Sequence, residues 1–356
     1  MRIVLSSYDF PPGGGGVATY VARLASALSS AGHEVTVVTT SQGLEDGYPY
    51  TVIRQCGPLG LLRLYAGADM VLLSNLSIRL GWPLLLTLGT RYVLFHHSES
   101  AFRASRSWSP QQLLRRTVMK RSVLHCMASD YLGRQSGLAR HLVVCPFPGD
   151  RPLPRPPLSE RRAELLVAGR LEPEKGIGFV LDNVELICRL LDVSRIRIAG
   201  AGSMTDVVQQ RAQERNSRIV YLGRLSAEHT KAEMASNIYT LVPSLWNEPF
   251  GTVALEALSA GAIVIATRRG GIPEALGSLG MLYEPDHLAS FERALREARL
   301  FFGRCCTNPQ MAAAYLDHVD LHAERFRPER AVESLMGAWQ RIAVPLLPTR
   351  TQARER

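Results

Sequence analysis

The sequence has no apolar run near the ~20 residues that a membrane-spanning helix needs. Its start lacks the long apolar stretch and small-residue cleavage site of a secretory signal. Met1, Arg2, Ile3, Val4 and Leu5 read instead as the beginning of a strand. These absences lead us to expect a cytoplasmic protein. Metal motifs are missing too, with no H-E-x-x-H and no D-x-D, so no metal is expected. The six cysteines show no C-x-x-C spacing, and the adjacent Cys305 and Cys306 are poorly placed for a mutual disulfide. Free, mostly buried thiols are the reading. Lysine is scarce: Lys120, Lys175 and Lys231 are the only three among 41 basic residues. Such an arginine bias fits a GC-rich bacterial genome and makes each retained lysine informative, because lysine is a compact charge and arginine a planar fork.

What is present is a net charge of +9, with fourteen bases against eight acids in the first 150 residues. Basic balance suits an anionic ligand or an anionic membrane. A nucleic-acid partner is not expected, since no recognition motif or aromatic-basic interleaving appears. At 356 residues the chain favours two domains. Short apolar runs without alternation recur at 2–7, 34–39, 70–74, 91–96, 123–128 and 141–144. They recur again at 164–168, 195–199, 218–222, 238–242 and 262–266. With helical patterns between them, these predict parallel strands covered on both faces, in two α/β units. Six prolines between Pro146 and Pro157 mark the link. The expected division is 1–150, 151–327, a helix at 328–343 returning to the first unit, and a polar tail at 344–356. Helices are also predicted at 286–302 and 309–324. Two doubly wound, Rossmann-like domains place the carboxyl ends of their sheets around a central cleft.

The stretch "LVPSLWNEPFGTVALEALSAGAIVIATRRGGIPEAL" (241–276) reads as a strand, a loop and a helix beginning near Pro249–Gly251 and stopping at Gly261. Inside that helix Thr252, Glu256 and Ser259 form one polar stripe on an otherwise apolar cylinder. Gly251 leaves first-turn N–H groups open to an anion. Glu248 stands eight residues before Glu256. A carboxylate accepts from two neighbouring sugar hydroxyls. Two carboxylates flanking a helix N-terminus can hold two sugars with a phosphate between them, which describes a nucleotide sugar.

The E-x7-E pair followed by "GG-x-P-E" resembles the retaining GT-B glycosyltransferases of family 4. "LLVAGRLEPEKG" (165–176), "IRIAGAGSM" and "IVYLGRLSAEHTKAEMASNIYTLVPS" resemble that family's segments in register. "GHEVTVVTT" (32–40) and "HHSE" (96–99) match more loosely. The likeness covers residues 1–343. It implies that Glu256 holds the ribose hydroxyls and Glu248 the transferred sugar. Pro249, Phe250, Gly251 and Thr252 line the donor, three of them offering backbone N–H groups. Arg170 and Lys175 neutralise the departing diphosphate, without a metal or other cofactor. His97, in the H-S-E variant, stands between donor and acceptor. His96 is the alternative, or a packed core histidine, and Glu99 follows on the acceptor side. A sugar would pass from an NDP-sugar to a hydroxyl of a glycan, glycolipid or secondary-metabolite acceptor. Non-catalytic nucleotide-sugar binding and epimerisation are the alternatives. Neither accounts for the complete set of Glu248, Arg170, Lys175 and Glu256.

The segment "SSYDFPPGGGGVATYVARLASAL" (6–28) places Gly13, Gly15 and Ala18 at dinucleotide-fingerprint spacing. The fingerprint fails, however. "YDFPP" separates strand from glycines, and no acid ends the second strand before Glu45. An oxidoreductase is therefore set aside. The resemblance assigns Gly15 and Gly16 to the donor diphosphate and Gly14 to the acceptor side. Residues 109–124 form a predicted basic amphipathic helix, with Leu113, Leu114, Val118 and Met119 at helical spacing among Arg115, Arg116, Lys120 and Arg121. Such a helix offers a peripheral contact with anionic lipid on the inner face of the plasma membrane.

Overall fold

A computed structural model describes residues 1–12, 15–43, 47–87, 89–99, 109–139, 141–144 and 155–343. Gly13, Gly14, most of the proline-rich link and the 344–356 tail lie outside the described residues.

The first sheet contains β1 (Arg2–Ser7), β2 (Glu34–Thr39), β3 (Thr51–Arg54), β4 (Met70–Ser74), β5 (Tyr92–His96), β6 (Leu124–Met127) and β7 (Leu142–Val143). Its order is β3-β2-β1-β4-β5-β6-β7. The second contains β8 (Arg162–Ala168), β9 (Arg195–Ala199), β10 (Ile219–Gly223), β11 (Asn237–Val242), β12 (Ile263–Thr267) and β13 (Met281–Tyr283), in the order β10-β9-β8-β11-β12-β13. Both sheets are parallel throughout. Central strands β4, β11 and β12 are buried at every residue, which is why they read as mostly apolar runs without alternation.

Strands β3 and β13 escape the sequence pattern. Each sits at an edge and is only partly buried: β3 is bounded by Thr51 and Arg54, and β13 is only three residues long, too short to stand out as a strand. In each sheet the direction of winding reverses beside the first strand, between β1 and β4 and between β8 and β11. That reversal opens a crevice at the carboxyl ends of the strands. The chain is thus GT-B in architecture, two doubly wound units with their crevices turned to one cleft.

Most of the second sheet's core comes from its own strands and helices. The first sheet's core borrows from the far end of the chain. Val332, Leu335 and Trp339 of the Pro328–Ala343 helix pack with Tyr20, Leu24 and Leu28 of the Gly16–Ser30 helix. The Pro110–Arg121 helix begins at an N-cap, with Ser109 Oγ accepting from the Gln112 amide at 3.3 Å. Its apolar stripe is spent inward. Val118 is buried in the core beneath β4 and β5, Met119 packs against that core, and Leu113 stays outside.

Candidate active site

A cleft of about 510 Å³ lies between the two sheets, lined from both. The first domain contributes Gly15 and Gly16 after β1, His97 and Ser98 after β5, and Ala128 after β6. The second contributes residues 169–171 and Lys175 after β8, and Pro243, Ser244, Trp246 and 248–253 after β11. The lining therefore draws on the loops next to both reversal points.

Lys175 is the charge at its centre. Its Nζ lies 2.6 Å from Glu248 Oε1 and 4.9 Å from the centre of the Trp246 ring. Ser244 Oγ donates to the same carboxylate oxygen at 2.8 Å. Both partners use Oε1. The loop holding Glu248 is fixed from beneath. The Gly271 amide donates to the Glu248 carbonyl at 2.8 Å, and the Leu245 amide to the Glu174 carbonyl at 2.9 Å. Gly176 makes this approach possible. A Cβ there would sit 2.0 Å from the Pro243 carbonyl oxygen, and its φ of +77° suits glycine. The K-G pair in the sequence is thus a charge followed by the residue that lets its loop meet β11.

The Thr252–Ser259 helix starts at Gly251, which gives no side-chain cap, so its positive end faces the cleft with amides to offer. Phe250 is 2% exposed and packs with Met127, Leu132 and Phe326. Glu256 follows Thr252 by one turn but does not line the cleft. It is half-buried, and burial pushes its pKa to about 7, with Arg23 and Lys231 pulling the other way. Arg170 lines the cleft, is largely exposed, and pairs with Glu174 at 3.5 Å.

On the opposite wall, His97 Nε2 lies 3.0 Å from Ser74 Oγ, and its backbone amide donates to Asn75 Oδ1 at 3.0 Å. The ring meets Tyr20 edge-on at 4.8 Å. Burial lowers its pKa to about 4, which keeps the imidazole neutral at pH 7. Gly15 and Gly16 face open space, since a Cβ on either would meet nothing within 4 Å.

Two of the residues expected here stand elsewhere. His96 is 1% exposed and paired with His125 Nδ1 at 3.0 Å across the β5–β6 edge, and its pKa falls to about 3 through burial and the neighbouring imidazoles. Its burial and its contact with His125 are those of the packed core histidine, the second of the two readings. Glu99 does not line the cleft and accepts from Tyr131 Oη at 2.7 Å. Gly14 lies outside the described residues. Sequence reasoning overlooked Ser244, Trp246, Ser74 and Tyr20. Trp246 alone carried a hint, as a tryptophan left in a polar loop two residues before Glu248.

Residues 153–299 match the family described as glycosyl transferases group 1. A glycogen synthase of Mycobacterium tuberculosis is 33% identical over 42% of this chain and 36% of its own length. The match thus spans about a third of that relative. The gpi3 subunit of a phosphatidylinositol N-acetylglucosaminyltransferase from Schizosaccharomyces pombe is 26% identical over 92% of this chain and 75% of its own. Among solved structures, Anabaena HepE in complex with UDP-glucose superposes with a TM-score of 0.70 at 16% identity, covering 96% of this chain and all of that one. Sucrose-phosphate synthase from Thermosynechococcus elongatus gives 0.67 at 21% identity, covering 96% and 98%. The second domain thus matches the glycosyl transferases group 1 family over residues 153–299, and the chain as a whole has the GT-B fold, two parallel sheets around a shared cleft.

Proposed function

We propose that the protein is a retaining glycosyltransferase that uses a nucleoside diphosphate sugar and a hydroxyl acceptor. One observation carries the reading: a cation, a carboxylate and an uncapped helix end converge on one side of a cleft whose other side presents a neutral histidine. An anionic diphosphate with a sugar attached fits that set. Residues 1–150 then serve the acceptor and residues 151–327 the donor.

In this reading the diphosphate lies between Lys175, Arg170, the first turn of the Thr252–Ser259 helix and Gly15–Gly16. Arg170 reaches it by leaving Glu174, at little cost, because an exposed ion pair is worth about 0–1 kcal/mol. Glu248 Oε2 accepts from the transferred sugar. His97 lies against that sugar as a neutral hydrogen-bonding group. Glu256 accepts from the ribose. The bond from the anomeric carbon to phosphate oxygen breaks as the acceptor oxygen bonds to that carbon on the same face. The departing phosphate oxygen takes the acceptor proton, so no protein nucleophile is needed. The charge that forms on the diphosphate is met by Lys175 and Arg170, and the reaction needs no metal.

The HepE complex with UDP-glucose makes uridine nucleotides the first choice of donor. A melting-temperature screen against UDP, GDP, ADP and dTDP and their common sugars tests the reading. One nucleotide should raise Tm by several degrees at ~100 times its Kd, about 2.7 kcal/mol of linkage. No shift with any of them sinks the assignment of the cleft. The acceptor reading includes peripheral contact with anionic membrane through residues 109–124, where Leu113, Lys120 and Arg121 remain exposed. No described helix is long and apolar enough to cross a membrane. Sedimentation with liposomes should carry the protein down only when anionic lipid is present. Equal recovery in the supernatant with and without it removes the contact.

A further inference from the structure

Beyond the cleft, the domains are joined by hydrogen bonds gathered on a single short segment of the first domain. Ser129 caps the Asp130–Ser136 helix by accepting from the Leu132 amide at 3.0 Å, and the same hydroxyl donates across the domain boundary to the Pro249 carbonyl. The Glu274 carboxylate, from the second domain, receives the next two amides: Asp130 N–H at 2.6 Å and Tyr131 N–H at 2.5 Å, one to each oxygen. Arg134 approaches the same carboxylate at 3.4 Å. Tyr131 then reaches back through its hydroxyl to Glu99, two residues beyond His97.

An apolar cluster lies with these bonds. Met127, Ala128 and Leu132 of the first domain pack on Phe250, Leu255 and Ala275 of the second, together with Phe326. Phe326 sits where the chain crosses back to the first domain, two residues before the Pro328–Ala343 helix. Bonds and cluster therefore stand at a crossing point of the chain. The segment 129–131 touches a loop on each side of the cleft: Pro249 on the donor side and the loop carrying His97 on the other.

We propose that Glu274 and Ser129 are positioning residues that pin segment 129–131 between the two domains, and so hold the Pro249–Phe250 loop and the loop after β5 in register across the cleft. Two features make Glu274 suited to the task. A carboxylate accepts both first-turn amides at once, and charge-assisted bonds of this kind are the strong ones. Its side chain is 24% exposed, so competition from water is reduced. The Pro273–Glu274 pair of the GG-x-P-E motif thereby acquires a purpose distinct from the two glycines, which back the Glu248 loop.

The pin rests on the structure alone, while its effect on ligand rests on the proposed donor site. The test separates the two. Hydrogen exchange is followed in wild type, Glu274→Gln and the milder Ser129→Ala, at 129–133 and at 247–251. UDP affinity is titrated alongside. Glutamine keeps one acceptor and turns an amide donor toward a backbone N–H. Exchange at 129–133 should rise about tenfold. Exchange at 247–251 should rise with it, and UDP should bind several-fold more weakly, while β4 and β12 stay protected. Unchanged exchange at 129–133 in both variants overturns the pin. A rise confined to 129–133, with the donor loop and UDP affinity unmoved, reduces it to a local helix cap and overturns it equally. If wild type itself binds no UDP, the donor assignment is what fails, and the pin is judged by whether the two segments loosen together.

Discussion

Lys175→Ala should lower kcat for the proposed sugar transfer by about a hundred- to a thousandfold, the range expected on losing one preorganised group that meets charge developing in the transition state. The structure gives two reasons for an effect of this size. Lys175 is the cation held innermost in the cleft, fixed by Glu248 and by the face of Trp246, so its charge needs little rearrangement to meet a diphosphate. Its removal also leaves the Glu248 carboxylate beside the phosphates without its counter-charge, with only Ser244 donating to it. Stability should change little, by about 1–2 kcal/mol, the scale of one charge-assisted hydrogen bond. The loss of turnover therefore appears in protein that melts near the wild-type temperature. Lys175→Arg is the sharper comparison. A guanidinium is larger, planar and forked, and would meet the Trp246 ring and the single Oε1 atom poorly. It should recover only part of the rate. Steady-state rates with donor saturating decide the matter, and wild-type turnover in Lys175→Ala withdraws the site.

That lysine stood out because its motif is local, although its partners Glu248 and Trp246 lie far along the chain. G-R-L-x-x-x-K-G keeps a charge and its hinge glycine within seven residues, and Glu248 and Glu256 sit one loop and one helical turn apart. The strands of the two sheets were legible from their own residues, since burial on both faces leaves the central ones mostly apolar, with only Ser74, Asn237, Thr240 and Thr267 as polar members of β4, β11 and β12. Edge strands β3 and β13 had no such requirement and left at most three apolar residues to mark them. His96 and His97 show where a sequence falls short. Adjacent residues at a strand end turn to opposite sides, so one imidazole meets His125 and the other the cleft, and only the fold says which. The Pro110–Arg121 helix shows it again, because periodicity reveals an apolar face without revealing what covers it. Glu274 was beyond reach, as the amides it caps lie more than 140 positions away in the chain.

Glu256→Gln tests the other end of the donor site, and pH supplies the discriminating axis. In the free protein burial holds the Glu256 carboxyl up at about 7, well above the usual carboxylate value, so near neutrality it carries its proton about half the time. In the proposed donor site ribose hydroxyls would donate to it, and donated hydrogen bonds favour the charged form. Nucleotide binding therefore lowers that pKa and expels a proton. Affinity should rise with pH, being about tenfold weaker at pH 6 than at pH 8, the factor expected when a group of pKa 7 must ionise on binding. Glu256→Gln should bind about ten- to a hundredfold more weakly at pH 8, the worth of a charge-assisted hydrogen bond, and its affinity should be flat with pH. The two proteins then converge toward pH 6. Stability without nucleotide runs the opposite way. A carboxyl whose folded pKa is raised stabilises the fold most when protonated. That contribution is complete below the ordinary value of 4.5 and fades as pH rises through about 7. Ligand-free Glu256→Gln should accordingly melt above wild type at pH 8 and level with it at pH 4.5. Calorimetric titration in buffers of different ionisation enthalpy counts the released proton directly. A wild-type affinity that is level from pH 6 to pH 8, with no proton released, removes Glu256 from the ribose.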